Sequence, residues 1–168
     1  GLRAVSQRIG VYTQGASHIQ LSRSEIEDCS VSGLLADEAS SLSLSGMQIS
    51  RAREQGVQSQ GGSAVFMENC GFDACGIGLS ALGGHSRARN CAASSCQELG
   101  WSLSGGDHDL QGLTVSGSKT GLGLYEGAQV LAQDLKSTAC GTAVYVCGAS
   151  SLELRGFMAT GQRVGLWA

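Results

Sequence analysis

The stretch GVQSQGGSAVFMENCGFDACG, residues 56–76, decides how the chain is read. A glycine stands at each end. Between them apolar residues come in short bursts: Val57, then Val65 with Met67, then Cys70 with Phe72. Gly61, Gly62, Ser63 and Asn69 fall where the chain must bend. The bursts alternate with a period of two, which is strand spacing and not helix spacing.

Working outward, similar lines open at Gly10, Gly33, Gly56, Gly76, Gly100, Gly121, Gly141 and Gly161, at successive spacings of 23, 23, 20, 24, 21, 20 and 20. A period in this range marks a solenoid. Each line carries three bursts. The first is Leu34/Ala36, Ile77/Leu79, Trp101/Leu103 or Leu122/Leu124. The second is Ile19/Leu21, Leu42/Leu44 or Val65/Met67, and the third Ile26, Ile49 or Phe72. No window carries a helical stripe, and residues 50–55 read as a long bend. The prediction is an all-β, right-handed parallel β-helix of about seven coils of about 20–24 residues, with three short strands per coil. The hand follows from the near-universal hand of parallel crossovers. Stacked at about 4.8 Å per coil, the rod is roughly 34 Å long.

Composition agrees. The chain has 26 glycines and no proline, where average usage predicts about eight prolines. In a rod whose strands pair above and below, a proline would remove a ladder bond. Net charge is −3 with 15% charged residues, which excludes a nucleic-acid-binding basic surface. No apolar run approaches the roughly 20 residues of a membrane span. The expectation is one domain over residues 1–168 that is a segment or subunit of something larger, because neither end reads as a cap.

The rungs GGSAVFMENCGFDACG and EGAQVLAQDLKSTACG resemble parallel β-helix repeats of the pectin-lyase-like superfamily. They are most similar to the asparagine- and cysteine-bearing repeats of carbohydrate-binding and sugar-hydrolase-type modules. The resemblance implies the fold over residues 10–161. It leaves function open, because that superfamily holds lyases, hydrolases, epimerases, adhesins and non-catalytic domains. Its enzymes imply recurring aspartates with an arginine base, or paired aspartates with Gly-His-Gly and Arg-Ile-Lys motifs. Here Asp37, Asp73, Asp107, Asp109 and Asp134 fall at scattered places, and GGHSRAR (residues 83–89) echoes a Gly-His turn without its partners.

Three groups of residues are candidates for a site. His85 and His108 fall on adjacent rungs beside Asp107 and Asp109, a donor set that suits a divalent metal; the competing reading, polar bends in solvent, takes precedence. Cys70, Cys75, Cys91 and Cys96 form C-x4-C twice, one rung apart. Four thiolates can hold zinc, but a stacked ladder of buried thiols takes precedence. No cofactor is expected. The glycine-rich LGG and GLGLYEG open no helix and so lack the anion-binding logic of a phosphate cradle. Seven cysteines without evident pairing predict a reducing intracellular or organellar compartment. The third group is aromatic. Tyr125 and Tyr145 occupy the same outward place of successive lines, and Tyr12 lies on the same strand of an earlier one, an interaction face.

These observations predict a non-catalytic structural or protein-interaction β-helix with other protein chains as partners. The alternative is a carbohydrate-active or carbohydrate-binding module.

Overall fold

The computed structural model describes residues 1–168 and consists of three parallel sheets wound into one rod. Sheet 1 stacks eight strands, from Ile9–Thr13 through Gln55–Ser59 to Val164–Trp167. Sheet 2 stacks seven, from His18–Ser22 to Ser151–Arg155. Sheet 3 stacks eight three-residue strands, from Arg3–Val5 to Met158–Thr160. Each coil visits sheets 1, 2 and 3 in turn. The count is about eight coils, one more than expected, because Arg3–Val5 pairs with Glu25–Glu27 and Val164–Trp167 with Thr142–Val146. No helix is long and apolar enough to cross a membrane.

Register is tighter than the glycine spacing suggested. Successive in-register partners in sheet 1 are Ile9, Ser32, Gln55, Ile77, Leu99, Thr120, Thr142 and Val164, whose numbers advance by 21 to 23 at each step. The glycines that mark equivalent places are Gly10, Gly33, Gly56, Gly78, Gly100 and Gly121. Gly76, Gly141 and Gly161 are displaced from that ladder. The reason is steric. A Cβ on any of the six ladder glycines would lie 2.5–2.9 Å from the carbonyl oxygen of the equivalent residue one coil on. It would also strike large residues reaching in from sheet 3: Ile26 at Gly10, Ile49 at Gly33, Phe72 at Gly56 and Val115 at Gly100, each within 2.4–2.7 Å. Where sheet 3 ends in Ala159, which pairs with Ser137, the ladder carries Ala143. Gly76 and Gly141 are small for another reason: a Cβ there would meet the corner carbonyls of Glu54 at 2.4 Å and Lys119 at 2.7 Å.

The three corners turn by the same device, residues of positive φ. Between sheets 1 and 2 two consecutive residues adopt it, as at Glu38 and Ala39 or Gly61 and Gly62. Between sheets 2 and 3 a single residue does so in each coil: Arg23, Gly46, Asn69, Asn90, Gly112, Asp134 and Gly156. A single residue also serves between sheet 3 and the next strand of sheet 1, as at Arg51, Ala74 and Ser95. The N–H of such a residue still donates across the coils, from Asn69 to the Arg89 carbonyl (3.0 Å) and from Asn90 to that of Gln111 (2.9 Å). The left-handed conformation costs a non-glycine residue about 1–2 kcal/mol, and the retained ladder bond holds it in place.

The core is a set of stacked ladders. Sheet 1 points Val57, Leu79, Trp101, Leu122 and Val144 inward, sheet 2 Leu42, Val65, Ser86, His108 and Val130, and sheet 3 Ile26, Ile49, Phe72, Ala93 and Val115. The fourth coil is narrow, with Ala81, Ala88 and Ala93 inside. Phe72 from the coil before and Trp101 from the coil after fill the space, their ring centroids 5.5 Å apart and nearly perpendicular. Trp101 Nε1 has no hydrogen-bond partner, a cost of about 1–3 kcal/mol that burial of the indole offsets.

The glycine ladder makes a direct prediction. Gly121→Ala places a Cβ 2.5 Å from the Ala143 carbonyl oxygen and 2.8 Å from Val115 Cγ1, and should cost about 1–3 kcal/mol in urea unfolding. Gly165 stands one coil beyond Ala143 with nothing within 4 Å of a Cβ, so Gly165→Ala should change stability by less than about 0.5 kcal/mol. Equal losses would show that close approach is not what keeps glycine there.

Candidate interaction surfaces

Sheet 1 presents the most uniform outer face. None of its eight strands contains a charged residue. Its outward ladder runs Tyr12, Leu35, Gln58, Ser80, Ser102, Gly123, Tyr145 and Trp167. Tyr12 and Tyr145 therefore share one register position, near opposite ends of the rod. Tyr125 does not share it: Tyr125 pairs with Ser104, and Tyr145 with Gly123. Counting from Gly141, which lies two positions short of the true ladder place at Ala143, produced the apparent match.

The two tyrosines still meet. A Cβ on Gly123 would lie 2.7 Å from the Tyr125 hydroxyl and 2.6 Å from Leu99 Cδ2, so Tyr125 leans back across the glycine. Its ring centroid is 5.8 Å from that of Tyr145, and Tyr145 stands 6.5 Å from Trp167. Burial raises the Tyr125 phenol above its usual range. Tyr12 donates a hydrogen bond to Gln14. Trp167 went unrecognised in the sequence, although it stands one coil length beyond Tyr145.

The histidine–aspartate group divides between two faces. His85, Asp107 and Asp109 point outward from sheet 2, with His85 opposite Asp107 and Arg87 paired to Asp109 at 3.2 Å. His108 points inward and is 3% exposed. Alternation along Asp107–Gln111 requires this, because neighbouring residues of a strand face opposite ways. His108 Nε2 lies 2.7 Å from the Gly105 carbonyl and Nδ1 lies 2.7 Å from the Ser86 hydroxyl. A carbonyl only accepts, so Nε2 carries the proton and Nδ1 accepts from Ser86. Burial chiefly holds His108 below its ordinary value of 6.5. The Gly105 carbonyl and Asp107 oppose that shift, and His85 adds to it.

The cysteines also separate. Cys70 and Cys91 precede adjacent strands of sheet 3, while Cys75 and Cys96 follow them. The length of a three-residue strand, about 10 Å, lies between the pairs. Cys29, Cys75, Cys96 and Cys140 belong to one corner column. Thiols donate weakly to the carbonyl two residues back, Cys91 to Arg89 at 3.2 Å and Cys70 to Glu68 at 3.4 Å. Burial pushes Cys29 and Cys75 up, and Cys96 up to about 12. The neighbouring Cys91 thiol holds Cys70 below the usual thiol range, and Cys70 together with burial pushes Cys91 up. All seven thiols are free, six of them buried and Cys147 half-buried. No three histidine, cysteine or acidic side chains converge as metal ligands.

The buried histidine and the thiols can each be tested in solution. The unfolded chain takes up a proton at residue 108 before the folded chain does. Stability should therefore fall as pH drops below about 6.5 and level off once the lowered folded value is passed. A Ser86→Ala/His108→Leu double variant should flatten that slope in denaturant titrations between about pH 8 and 5; an unchanged slope would place His108 in solvent. In native labelling with a maleimide, Cys147 should react first and the other six only on unfolding. Early modification of Cys70 or Cys91 would contradict their burial.

The comparisons with known proteins agree with this architecture. Residues 4–157 match the family model described as a right handed beta helix region. No curated protein and no solved structure matches the chain. With parallel coils stacked in three sheets over the same residues, the chain belongs to the right-handed β-helix family.

Proposed function

We propose that the chain is a non-catalytic scaffold whose sheet 1 face docks against another protein chain. The observation that supports this is the outer face of sheet 1, which carries no charged residue in any strand and holds the aromatic row of Tyr125 and Tyr145. Interface centres are depleted of charge and enriched in aromatic residues, and tyrosine gives contact area at small entropic cost. The carbohydrate-active alternative needs a carboxylate pair or an arginine base along the face the sugar crosses. The strands of sheet 1 offer neither. A partner docked on sheet 1 is expected to be a protein that presents an uncharged, largely apolar surface.

The test is the native mass of the chain in extracts of its own source, compared with a Tyr145→Arg variant. The expected result is a stable complex for the natural chain and a smaller species for the variant, at an unchanged melting temperature. A natural chain that migrates alone, or a variant that stays in the complex, would overturn the reading.

A further inference from the structure

At the middle of the rod, sheet 1 carries a projection and a recess one coil apart. Away from the two ends, Phe66 and Leu82 are the large apolar side chains that stand exposed, and Leu82, 43% exposed, is the one on sheet 1. It ends the strand Ile77–Leu82 and points outward with Ser80. In the next strand, Leu99–Ser104, its in-register neighbour is Ser104, and the neighbour of Ser80 is Ser102. These outward serines are sunk: Ser80, Ser102 and Ser104 are 5%, 9% and 8% exposed. Gly123 continues the recess one strand further on. The Ser104 hydroxyl donates to Glu126 at 2.7 Å, whereas the Ser80 and Ser102 hydroxyls have no partner within the chain.

Such a face is complementary to itself. A two-fold axis parallel to the strands, passing between Ser80 and Ser102, sets the fourth strand of sheet 1 against the fifth of a second copy and the third against the sixth. The contacts are then reciprocal. Leu82 of each copy lies over Ser104 of the other, and Gln58 over Gly123, so a projection meets a recess at both places. Ile77 lies over Leu99, and Leu35 over Tyr145, so apolar residues meet beside them. Ser80 faces Ser102 across the axis, and a hydroxyl both donates and accepts, so these groups satisfy each other directly or through a water. A two-fold along the rod would instead set every outward residue on its own copy, Tyr145 on Tyr145 and Gly123 on Gly123.

Charge and area agree. No strand of sheet 1 holds a charged residue, so two identical faces meet without like-charge repulsion. The nearest acids stand past the strand ends and are engaged, Asp37 by Gln60 at 2.8 Å and Glu126 by Ser104. The face measures roughly 16 Å along the strands and roughly 34 Å along the rod. That gives about 1,100 Å² over two copies, above the roughly 1,000 Å² that a specific interface needs.

We infer that the protein on which sheet 1 docks is a second copy of this chain, turned antiparallel, with Leu82 of each copy seated in the Ser102–Ser104 recess of the other. The inference deepens the scaffold reading by naming the partner, and it rests on that reading for the choice of face.

The experiment is sedimentation velocity on the purified full chain, with no other protein present, from about 1 to about 200 µM. The expected result is a reversible dimer of twice the 17.2 kDa chain mass. Leu82→Arg should raise its dissociation constant at least about tenfold, at an unchanged melting temperature because the side chain is exposed. Leu82→Met should keep the dimer, and so should Phe66→Arg on sheet 2. A chain that stays monomeric throughout, a dimer indifferent to Leu82→Arg, or one broken equally by Phe66→Arg would overturn the inference. The outcomes separate from those of the scaffold reading. A monomeric purified chain beside a Tyr145-dependent complex in extracts assigns sheet 1 to a different protein and removes only this inference. A dimer that Leu82→Arg breaks and Tyr145→Arg does not keeps the second copy and removes the aromatic row from the scaffold reading.

Discussion

Each coil must come close enough to the next for its backbone to pair with it on all three sides, and the rest of the structure answers to that constraint. The chain makes 120 backbone–backbone hydrogen bonds, and many corner residues join the ladder with the strands. A residue lacking an N–H would leave a neighbour's carbonyl unmatched in any strand, and its fixed negative φ would not fit the positive-φ corners, which together account for the absence of proline. The same closeness excludes a Cβ along the inner ladder from Gly10 to Gly121, where the neighbouring carbonyl already occupies that space.

Side-chain packing adapts to that fixed frame. The coil spacing does not stretch, so a coil with small interior residues must be filled from its neighbours. Phe72 and Trp101 do this for the fourth coil. The Ser86–His108 pair does it in polar form, each group satisfying the other inside an otherwise apolar column. The cysteines obey the same limit on size. They are small, they tolerate burial, and their thiols reach the carbonyl two residues back, so they suit corners where larger side chains would crowd the bend.

How much of this was legible in the sequence varies with the kind of signal. Strand bursts and a regular repeat made the fold readable, because both reflect the pleat and the coil length directly. Exact register did not follow from glycine alone, since glycine recurs here for three reasons: close approach at Gly78, a tight corner at Gly76, and positive φ at Gly161. Choosing among them needs the neighbouring coil, and the error at Gly141 carried over to the pairing of Tyr125 with Tyr145. The inward turn of His108 was readable from strict alternation through Asp107 and Asp109, but proximity in sequence masked it. The shared outward face of His85, Arg87 and Arg89 was equally readable in HSRAR, where every second residue is basic.

In-register stacking also redefines which residues are neighbours. Arg51 holds Asp28, Lys119 holds Glu98 and Arg87 holds Asp109, partners that stand one coil apart in the chain. Each exposed pair stabilises the rod by little, but the pattern sets how the sequence can change. A substitution at one position is felt by the residues one coil above and below, and hardly by those adjacent in the chain, which face the other way. Compensating changes should therefore travel in steps of a coil, so that the history of such a protein is written down its columns and not along its strands.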